Sequence, residues 1–268
     1  MSYLTLERVS KVYGGAGGVE AVSDVSFQVE AGRFVSILGP SGCGKSTLLM
    51  MLAGLESVTS GRILVEGSQV AGPRSNVGLI FQEASLLPWL TVLDNVLFPI
   101  RILKWRVRDY RPRAMELLSM VGLADFKDAK PAQLSGGMRQ RAAICRALIH
   151  DPHLLLMDEP FSALDAITRD EMNAALLKIW ASYHKTGIFI THSIREAVFL
   201  SDRVLVMTRR PATVVCDLEV PFGRERDLSI GESAEFNRLC RILRQSIEDG
   251  HAGEGQDDAP ATRLAAAG

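Results

Sequence analysis

The chain lacks the long apolar runs, the excess of one charge and the cysteine clusters that mark several common classes of protein. Its longest apolar runs, such as Leu154–Met157, are far too short to cross a bilayer. The net charge of −1 gives no overall positive field that would favour nucleic acid. The four cysteines have no C-x-x-C spacing, which argues against a zinc site or a disulfide framework. The N-terminus also lacks the basic-then-apolar pattern of a signal peptide, so we expect a cytoplasmic protein.

A glycine-rich segment, Gly39–Thr47, lies between a predicted strand and a predicted helix. The apolar run Phe34–Leu38 precedes it, and the helix formers Leu48–Ala53 follow it. In this context the pattern G-x-x-x-x-G-K-[ST] is typical of a loop that wraps backbone N–H groups around phosphate oxygens at a helix N-terminus. Lys45 can reach the β- and γ-phosphates, and Ser46 can ligate Mg²⁺. The segment therefore predicts binding of a nucleoside triphosphate.

A second run, His153–Pro160, is an apolar stretch followed by two carboxylates. A strand over Leu154–Met157 would place Asp158 beside the phosphate loop, at the carboxyl edge of a parallel sheet, where it can hold Mg²⁺ directly or through water. Glu159 follows and can reach the water that attacks the γ-phosphate. The alternative is a solvated acidic strand end, which the presence of the phosphate loop disfavours.

A third segment, Leu134–Met138, puts a serine and two glycines in front of a predicted helix. This is a second anion-binding helix start, with Ser135 as a hydroxyl donor. Gln140 and Arg146 lie mostly off the apolar stripe of that helix. One nucleotide does not need two phosphate cradles far apart in sequence, which favours a dimer in which each subunit's second cradle covers the partner's nucleotide. A plain Ser-Gly-Gly loop is the alternative.

Six segments in sequence order together resemble the ATP-binding subunit of ABC transporters, over roughly residues 3–215. They are Gly39–Thr47, Gln82, Leu134–Met138, Leu154–Glu159, Ser162–Asp165 and His192. The resemblance implies ATP and Mg²⁺ as ligands, a head-to-tail dimer of this chain and ATP hydrolysis coupled to transport. The family's signature motif has Gln where Met138 stands here. Because Ser135 and backbone amides would supply the contacts, we expect activity to survive this departure.

The resemblance also implies a role for each matched residue. Gln82, Glu159 and His192 would be catalytic, and Ser46, Gln82 and Asp158 would hold magnesium. Tyr13 would stack on adenine, and the remaining ATP contacts would come from both cradles and the seam between subunits: Gly39, Pro40, Ser41, Gly42, Cys43, Gly44, Lys45, Ser46, Thr47, Ser135, Gly136, Gly137 and Asp165. For Cys43, a small tolerated residue is the simple interpretation, and a thiol of lowered pKa at the helix N-terminus is the alternative.

The predicted fold is α/β: a P-loop NTPase (RecA-like) core with an N-terminal antiparallel β-subdomain and an inserted α-helical subdomain. The ATPase domain would cover residues 1–220, with its core in 1–83 and 152–220 and the helical subdomain in 84–151. Thr91 is a predicted helix cap, and Ser193 with Glu196 is a predicted capping box.

Residues 221–268 would form a C-terminal extension. Phe236, Leu239, Leu243 and Ile247 predict one amphipathic helix there. From Gly250 onward the composition is rich in Gly, Ala and Asp, so we expect a disordered tail.

Three stretches, Leu87–Val92, Leu134–Arg141 and Ser201–Pro211, are similar to ATP-binding subunits that import nitrate, taurine and aliphatic sulfonates. The resemblance implies a peripheral subunit at the cytoplasmic face of the inner membrane. Its partners would be permease subunits docked on Glu83–Pro99, a second copy of this chain and, indirectly, a solute-binding protein, with no nucleic acid. Trp89 would either anchor the permease or pack inside the helical subdomain. A non-transport ABC-type ATPase and a P-loop small-molecule kinase are the alternatives.

Overall fold

The computed structural model describes residues 2–14, 17–183, 185–223, 225–252 and 262–264. The strands are β1 (Ser2–Tyr13), β2 (Val19–Glu30), β3 (Phe34–Leu38), β4 (Ser60–Val65), β5 (Ser68–Gln69), β6 (Val77–Ile80), β7 (Leu154–Asp158), β8 (Thr186–Ile190), β9 (Arg203–Met207), β10 (Val214–Glu219) and β11 (Thr262–Leu264). The helices are α1 (Lys45–Leu52), α2 (Val92–Ile102), α3 (Val107–Met120), α4 (Gly136–Leu148), α5 (Ala166–Tyr183), α6 (Ile194–Leu200) and α7 (Ala234–Ala252).

The main sheet has the strand order β11-β10-β9-β3-β8-β7-β6. Strands β9, β3, β8, β7 and β6 are parallel, so their carboxyl ends meet at one edge. Along β3, Phe34 and Leu38 enter one hydrophobic cluster, whereas Val35 and Ile37 enter a second cluster on the other face. This burial on both faces explains why the strand reads as a continuous apolar run.

The N-terminal half also forms a separate antiparallel sheet, with the order β2-β1-β4-β5. Its inward side chains share one hydrophobic cluster with α1 and one face of the main sheet; Leu6, Leu49 and Ile37 represent the three parts. The α/β fold and the antiparallel β-subdomain expected from the sequence are therefore confirmed.

Three helices, α2 to α4, lie between β6 and β7 in the chain, which confirms the inserted helical segment. Thr91 caps α2, since its hydroxyl oxygen accepts from the Asp94 N–H at 3.1 Å. Leu93, Leu117 and Ile144 of these helices join the same hydrophobic cluster as Leu155 of the main sheet. The subdomain boundaries at 84 and 151 stay a prediction.

The predicted capping box at α6 is only half correct. The Ser193 hydroxyl accepts from the Glu196 N–H at 3.3 Å, as expected. However, the Glu196 carboxylate does not return to the cap: it accepts from the Thr191 hydroxyl at 2.6 Å and lies 3.4 Å from Arg169 Nε. Glu196 is buried, and this burial raises the pKa of its carboxyl group. A buried carboxylate binds the nearest buried donors, which the local sequence pattern does not identify.

The C-terminal extension packs against the end of α6. Arg226 has a side chain that is 1 % exposed, and it donates to the carbonyls of Val198, Phe199 and Ser201. These bonds satisfy helix-end carbonyls, for which a helix has no internal partner. The expected amphipathic helix is confirmed as α7, which buries Phe236 on its inner face.

The tail beyond α7 is only partly described. Residues 253–261 and 265–268, on which most of the predicted disorder falls, lie outside the described residues. Thr262–Leu264 pair parallel to β10 at the edge of the main sheet, and the disordered tail stays a prediction. None of the helices in the described parts of the chain combines the length and hydrophobicity needed to cross a membrane.

Candidate nucleotide-binding site

The loop after β3 turns sharply into α1, and its glycines make that turn possible. Gly42 and Gly44 have φ of 73° and 128°, in the region that favours glycine. A Cβ on Gly44 would lie 2.5 Å from the Ala21 carbonyl oxygen of β2. Any side chain there would collide with the antiparallel sheet, so the loop needs glycine at this position.

Lys45, the first residue of α1, is folded into the loop. Its side chain is 4 % exposed, and its ammonium donates to the carbonyls of Gly39 and Pro40, both at 2.8 Å. The same ammonium lies 3.9 Å from Glu159 Oε1. Ser46 and Ser41 are exposed at the mouth of the loop. The loop therefore combines one buried cation, Lys45, with two serines that are exposed to solvent.

The carboxyl edge of the main sheet brings Glu159 and His192 together, as expected. Glu159 Oε2 lies 3.2 Å from His192 Nδ1, although 33 residues separate the two in sequence. The Glu159 N–H also donates to the Ile190 carbonyl at 2.9 Å, which ties the end of β7 to the end of β8. Glu159 has φ of 42°, a left-handed conformation that costs a non-glycine residue about 1–3 kcal/mol. Tertiary contacts hold Glu159 in this strained backbone conformation, with its carboxylate beside Lys45 and His192.

Asp158, one residue earlier, is hydrogen-bonded by the Ser46 hydroxyl. Burial raises the pKa of the Asp158 carboxyl, and the Ser46 hydrogen bond offsets that rise in part. A hydroxyl and a desolvated carboxylate in contact fit a Mg²⁺ ion, which commonly takes one or two protein oxygens and completes its shell with water and phosphate. Gln82 is exposed two residues beyond the end of β6, whose Ile80 pairs with Met157 of β7. By this register Gln82 lies at the same edge as Asp158.

Tyr13 ends β1 with 41 % of its surface exposed. It pairs with Val19 on β2, the strand whose Ala21 contacts Gly44. One face of the ring carries the Lys11 ammonium, 4.9 Å from the centroid. Tyr13 therefore lies on the sheet next to the phosphate loop, and its role with adenine stays a prediction.

The second cradle begins α4 as expected, with Ser135 as its N-cap. The Ser135 hydroxyl oxygen accepts from the Met138 N–H at 3.2 Å, and Ser135 and Gly136 are both exposed. Arg139 lies beside them: its Nη1 donates to the Leu134 carbonyl at 2.7 Å. Met138 packs partly buried against the main hydrophobic cluster. The residue that departs from the family motif is therefore turned away from the exposed start of the helix.

The start of α5 touches the second cradle within the same chain. A Cβ on Gly137 would lie 2.9 Å from Thr168 Cγ2, so the two helices pack closely at this glycine. Asp165 caps this end of α5 by accepting from the Thr168 N–H at 3.0 Å. These hydrogen bonds lower the pKa of the exposed Asp165 carboxyl. The structure thus brings Asp165 to the second cradle, whereas the carboxylates of β7 lie at the first.

The alternative of a low-pKa thiol at Cys43 is wrong. Cys43 is 2 % exposed, and its sulfur points inward, 3.2 Å from where a Cβ on Gly39 would be. Burial raises the pKa of this thiol and outweighs the nearby charge of Lys45. The simple interpretation of a small packed residue holds.

Several residues near the site were not singled out as functional from the sequence. Arg210 Nη2 lies 3.9 Å from where a Cβ on Gly42 would be, which places a second cation beside the phosphate loop. Gln140 and Arg146 of α4 bond backbone carbonyls of residues that flank Gln82. Gln140 is buried, which corrects its expected place off the apolar stripe. For Arg210, the pair of arginines at 209–210 was the one sequence feature that could have indicated a cation near the phosphates. The hydrogen bonds of Gln140 and Arg146 arise from tertiary packing, and no local sequence pattern predicts them.

A glycine loop with a lysine at a helix start, beside carboxylates at the edge of a parallel sheet, defines a P-loop nucleotide-binding protein. Comparison with known proteins narrows this class. The ABC transporter family matches residues 22–162. A taurine import ATP-binding protein of Rhizobium johnstonii is 48% identical over 240 residues, covering 86% of this chain and 91% of that protein. A bicarbonate transport ATP-binding protein of Synechocystis is 44% identical over 230 residues, covering 84% and 82%.

Solved structures agree with this assignment. An ATP-binding cassette solved as a dimer in a post-hydrolysis state, bound to ADP and phosphate, superposes with a TM-score of 0.72. It is 33% identical and covers 82% of this chain and 100% of its own. The chain belongs to the ABC transporter family, and it is one of the ATP-hydrolysing subunits that power transport in that family.

Proposed function

We propose that this chain is the ATPase of an importer for a small solute that carries an oxyanion group, such as nitrate, taurine or another aliphatic sulfonate. The similarity to taurine and bicarbonate subunits supports the choice, because sulfonate and bicarbonate share this chemistry. The observation that carries the catalytic part is the contact between Glu159, Lys45 and His192 at one sheet edge.

Within one subunit, each residue at this edge takes a distinct role. Lys45 and the loop amides bind the phosphates, and Tyr13 stacks on the base. Glu159 accepts the proton of the attacking water, while His192 orients that carboxylate and contacts the γ-phosphate. Gln82 positions the water. Ser46, Asp158 and Gln82 would hold Mg²⁺, which when bound would neutralise charge on the β- and γ-phosphates.

The site is completed by a second copy of the chain. Ser135 and Gly136 are exposed at a helix start, with Arg139 beside them, which suits an anion presented by another molecule. The dimer of the similar cassette supports this arrangement. Two ATP molecules would close a head-to-tail dimer, with Asp165 at the seam, and hydrolysis would reopen it.

The surface at Glu83–Pro99 would dock the permease at the cytoplasmic side of the membrane. Trp89 is 68% exposed, which rules out its packing inside the helical segment and supports a role as anchor. The docked permease and a solute-binding protein would select the solute. The opening and closing of the dimer of this chain would drive the conformational change of the permease.

The proposal is tested by reconstituting the chain with its permease in lipid vesicles. ATP hydrolysis and uptake of labelled taurine, nitrate and bicarbonate are measured, with solute-binding protein outside. We expect phosphate release to water, stimulated by one of these solutes. A failure to associate with a permease would favour a non-transport ATPase, and phosphate transfer to a small acceptor would indicate a kinase.

A further inference from the structure

The connector between β6 and α2, residues 81–91, holds Gln82 and is bonded to side chains of α4. Arg146 donates from Nη1 to the Ser85 carbonyl and from Nη2 to the Ala84 carbonyl, both at 2.8 Å. The planar guanidinium makes these two bonds from separate nitrogens held in a fixed geometry, whereas a lysine would have to make both from a single nitrogen. The side of the connector after Gln82 is thereby fixed to α4.

The side before Gln82 is fixed to the same helix. Gln140 is 4% exposed, and its Nε2 donates to the Phe81 carbonyl at 3.2 Å. Further along, Asn95 of α2 is fully buried and bonds both the N–H and the carbonyl of Leu87. Side chains of two helices thus hold the connector on each side of Gln82.

The hydrogen bonds between Arg146 and the connector form although Arg146 loses contact with water and Ser85 adopts an unfavourable backbone conformation. Burial lowers the pKa of Arg146, because it removes the guanidinium from water. Ser85 has φ of 43°, a conformation that non-glycine residues rarely adopt. A partly buried cation bonded to a backbone segment that contains a left-handed residue indicates that the connector needs this particular shape.

Helix α4 also begins at Ser135, the second cradle. An α-helix rises about 1.5 Å per residue, so Arg146 lies about 16 Å from Ser135 along one rigid rod. A shift of the helix start therefore displaces Gln140 and Arg146, and with them the connector.

We propose that Gln140 and Arg146 are positioning residues that couple Gln82, in the subunit's own nucleotide site, to Ser135, which covers the nucleotide of the second copy. This inference rests on the proposed function. Its consequence is that engagement of Ser135 by the partner's nucleotide changes the position of Gln82 in this subunit through these two side chains.

The first test uses Arg146→Met and Gln140→Leu, with Arg113→Met as the matched control. Arg113 of α3 also donates to a carbonyl, that of Leu148, and pairs with Asp151 outside the connector. We expect kcat to fall by on the order of ten- to a hundredfold in the first two variants, since small misplacements of a catalytic group cost about that much. ATP affinity and KM stay near wild type, and Arg146→Lys rescues only in part.

A double-mutant cycle with Ser135→Ala separates coupling from simple structural damage. Sites farther than about 10 Å apart without shared partners normally have additive effects. If α4 couples Ser135 to the connector, the double variant Ser135→Ala/Arg146→Met loses no more kcat than the worse single variant. Emission of Trp89, in a background where Trp105 and Trp180 are both replaced by Phe, should respond to ATP when Arg146 is present and fail to respond in Arg146→Met.

Additive effects, an unchanged kcat in Arg146→Met, or an intact Trp89 response would each overturn the coupling. If Arg146→Met does not fold, Gln140→Leu and Arg146→Lys decide the same question. A wild-type protein that neither binds nor hydrolyses ATP would instead contradict the proposed function, which keeps the two failures distinct.

Discussion

The two glycine-flanked helix starts, at Lys45 and at Ser135, offer an anion different surroundings. Both have a cation at hand: Lys45 itself in the first, and Arg139 beside the second. The first start also has Glu159 within 3.9 Å of the lysine, and His192 beyond it. At the second, the Ser135 hydroxyl accepts from the Met138 N–H, and Gly137 lies against Thr168 of α5. Both starts suit phosphate, but Glu159, the proposed base, lies at the first, whereas the Asp165 carboxylate near the second caps α5 by accepting from the Thr168 N–H.

Glu159→Gln tests the main difference between the two starts and has the largest expected effect. The amide cannot accept the water's proton, so kcat should fall by ~10²–10⁴-fold. ATP binding should persist, because Lys45 and the loop amides are unchanged, and an ATP-bound dimer should accumulate. Phosphate release and ATP binding are measured against Glu116→Gln, an exposed change on α3. Turnover at the wild-type rate would show that another group is the base.

Lys45→Ala tests the cation of the first start. Hydrogen bonds to charged groups contribute about 1.5–3 kcal/mol, so ATP affinity should fall by roughly 10–150-fold. Isothermal titration with ATP in the Glu159→Gln background measures this, and Lys178→Ala on the surface of α5 is the control. Undiminished affinity would mean that the loop holds phosphate without its lysine.

Ser135→Ala tests the second start, where we expect a smaller effect. The variant loses one hydroxyl, whose hydrogen bond is worth about 1 kcal/mol, so ATP-driven dimerisation should weaken by several-fold to tenfold. ATP binding by the monomer should be unaffected, since in the proposed dimer the hydroxyl contacts the nucleotide of the other subunit. Sedimentation with ATP in the Glu159→Gln background reports both, and Ser135→Thr, which keeps the hydroxyl, should retain the dimer. A loss of monomer binding would place both starts on one nucleotide.

Alkylation of Cys43 tests how tightly the phosphate loop at the first helix start is packed, and the expected effect is the smallest. Burial raises the pKa of both thiols, but Cys43 is 2 % exposed whereas Cys240 is half-buried, so N-ethylmaleimide should label Cys43 more slowly. Mass spectrometry follows both rates, with and without ATP. The fraction that does react should lose ATP turnover, because the adduct has no room beside Gly39. Rapid labelling with full activity would contradict this packing.

Much of the site could be predicted because its parts are short and local. The strand Phe34–Leu38, the glycine loop and the helix behind it form one continuous stretch, so spacing alone defined the phosphate cradle. The cap at Thr91 depends on a residue three positions further on, so it could be predicted as well, and Ser135–Gly137 was correctly placed at a helix start. Glu159 was predicted from its place after an apolar strand and His192 from the family resemblance, and the parallel sheet brings the two together.

The residues that were missed bond to partners far away in sequence. Arg146 reaches carbonyls 61 and 62 residues earlier, and Arg226 reaches a helix end 25 to 28 residues earlier. Backbone carbonyls are present in every residue, so no sequence pattern marks the one that an arginine will bind. Glu196 shows the same limit, since its spacing from Ser193 indicated a capping box and burial directed it to Thr191.

The amino-acid sequence by itself determined the strand–loop–helix that cradles phosphate, the second glycine-flanked helix start and the α/β class, because each depends on local spacing and hydrophobic period. The tertiary structure decided which groups meet at those starts. It placed a strained Glu159 between Lys45 and His192, buried Cys43 and fixed the connector of Gln82 to α4. The physical reason is that charge pairing, burial and side-chain bonds to the backbone act between elements that only the folded sheet brings together.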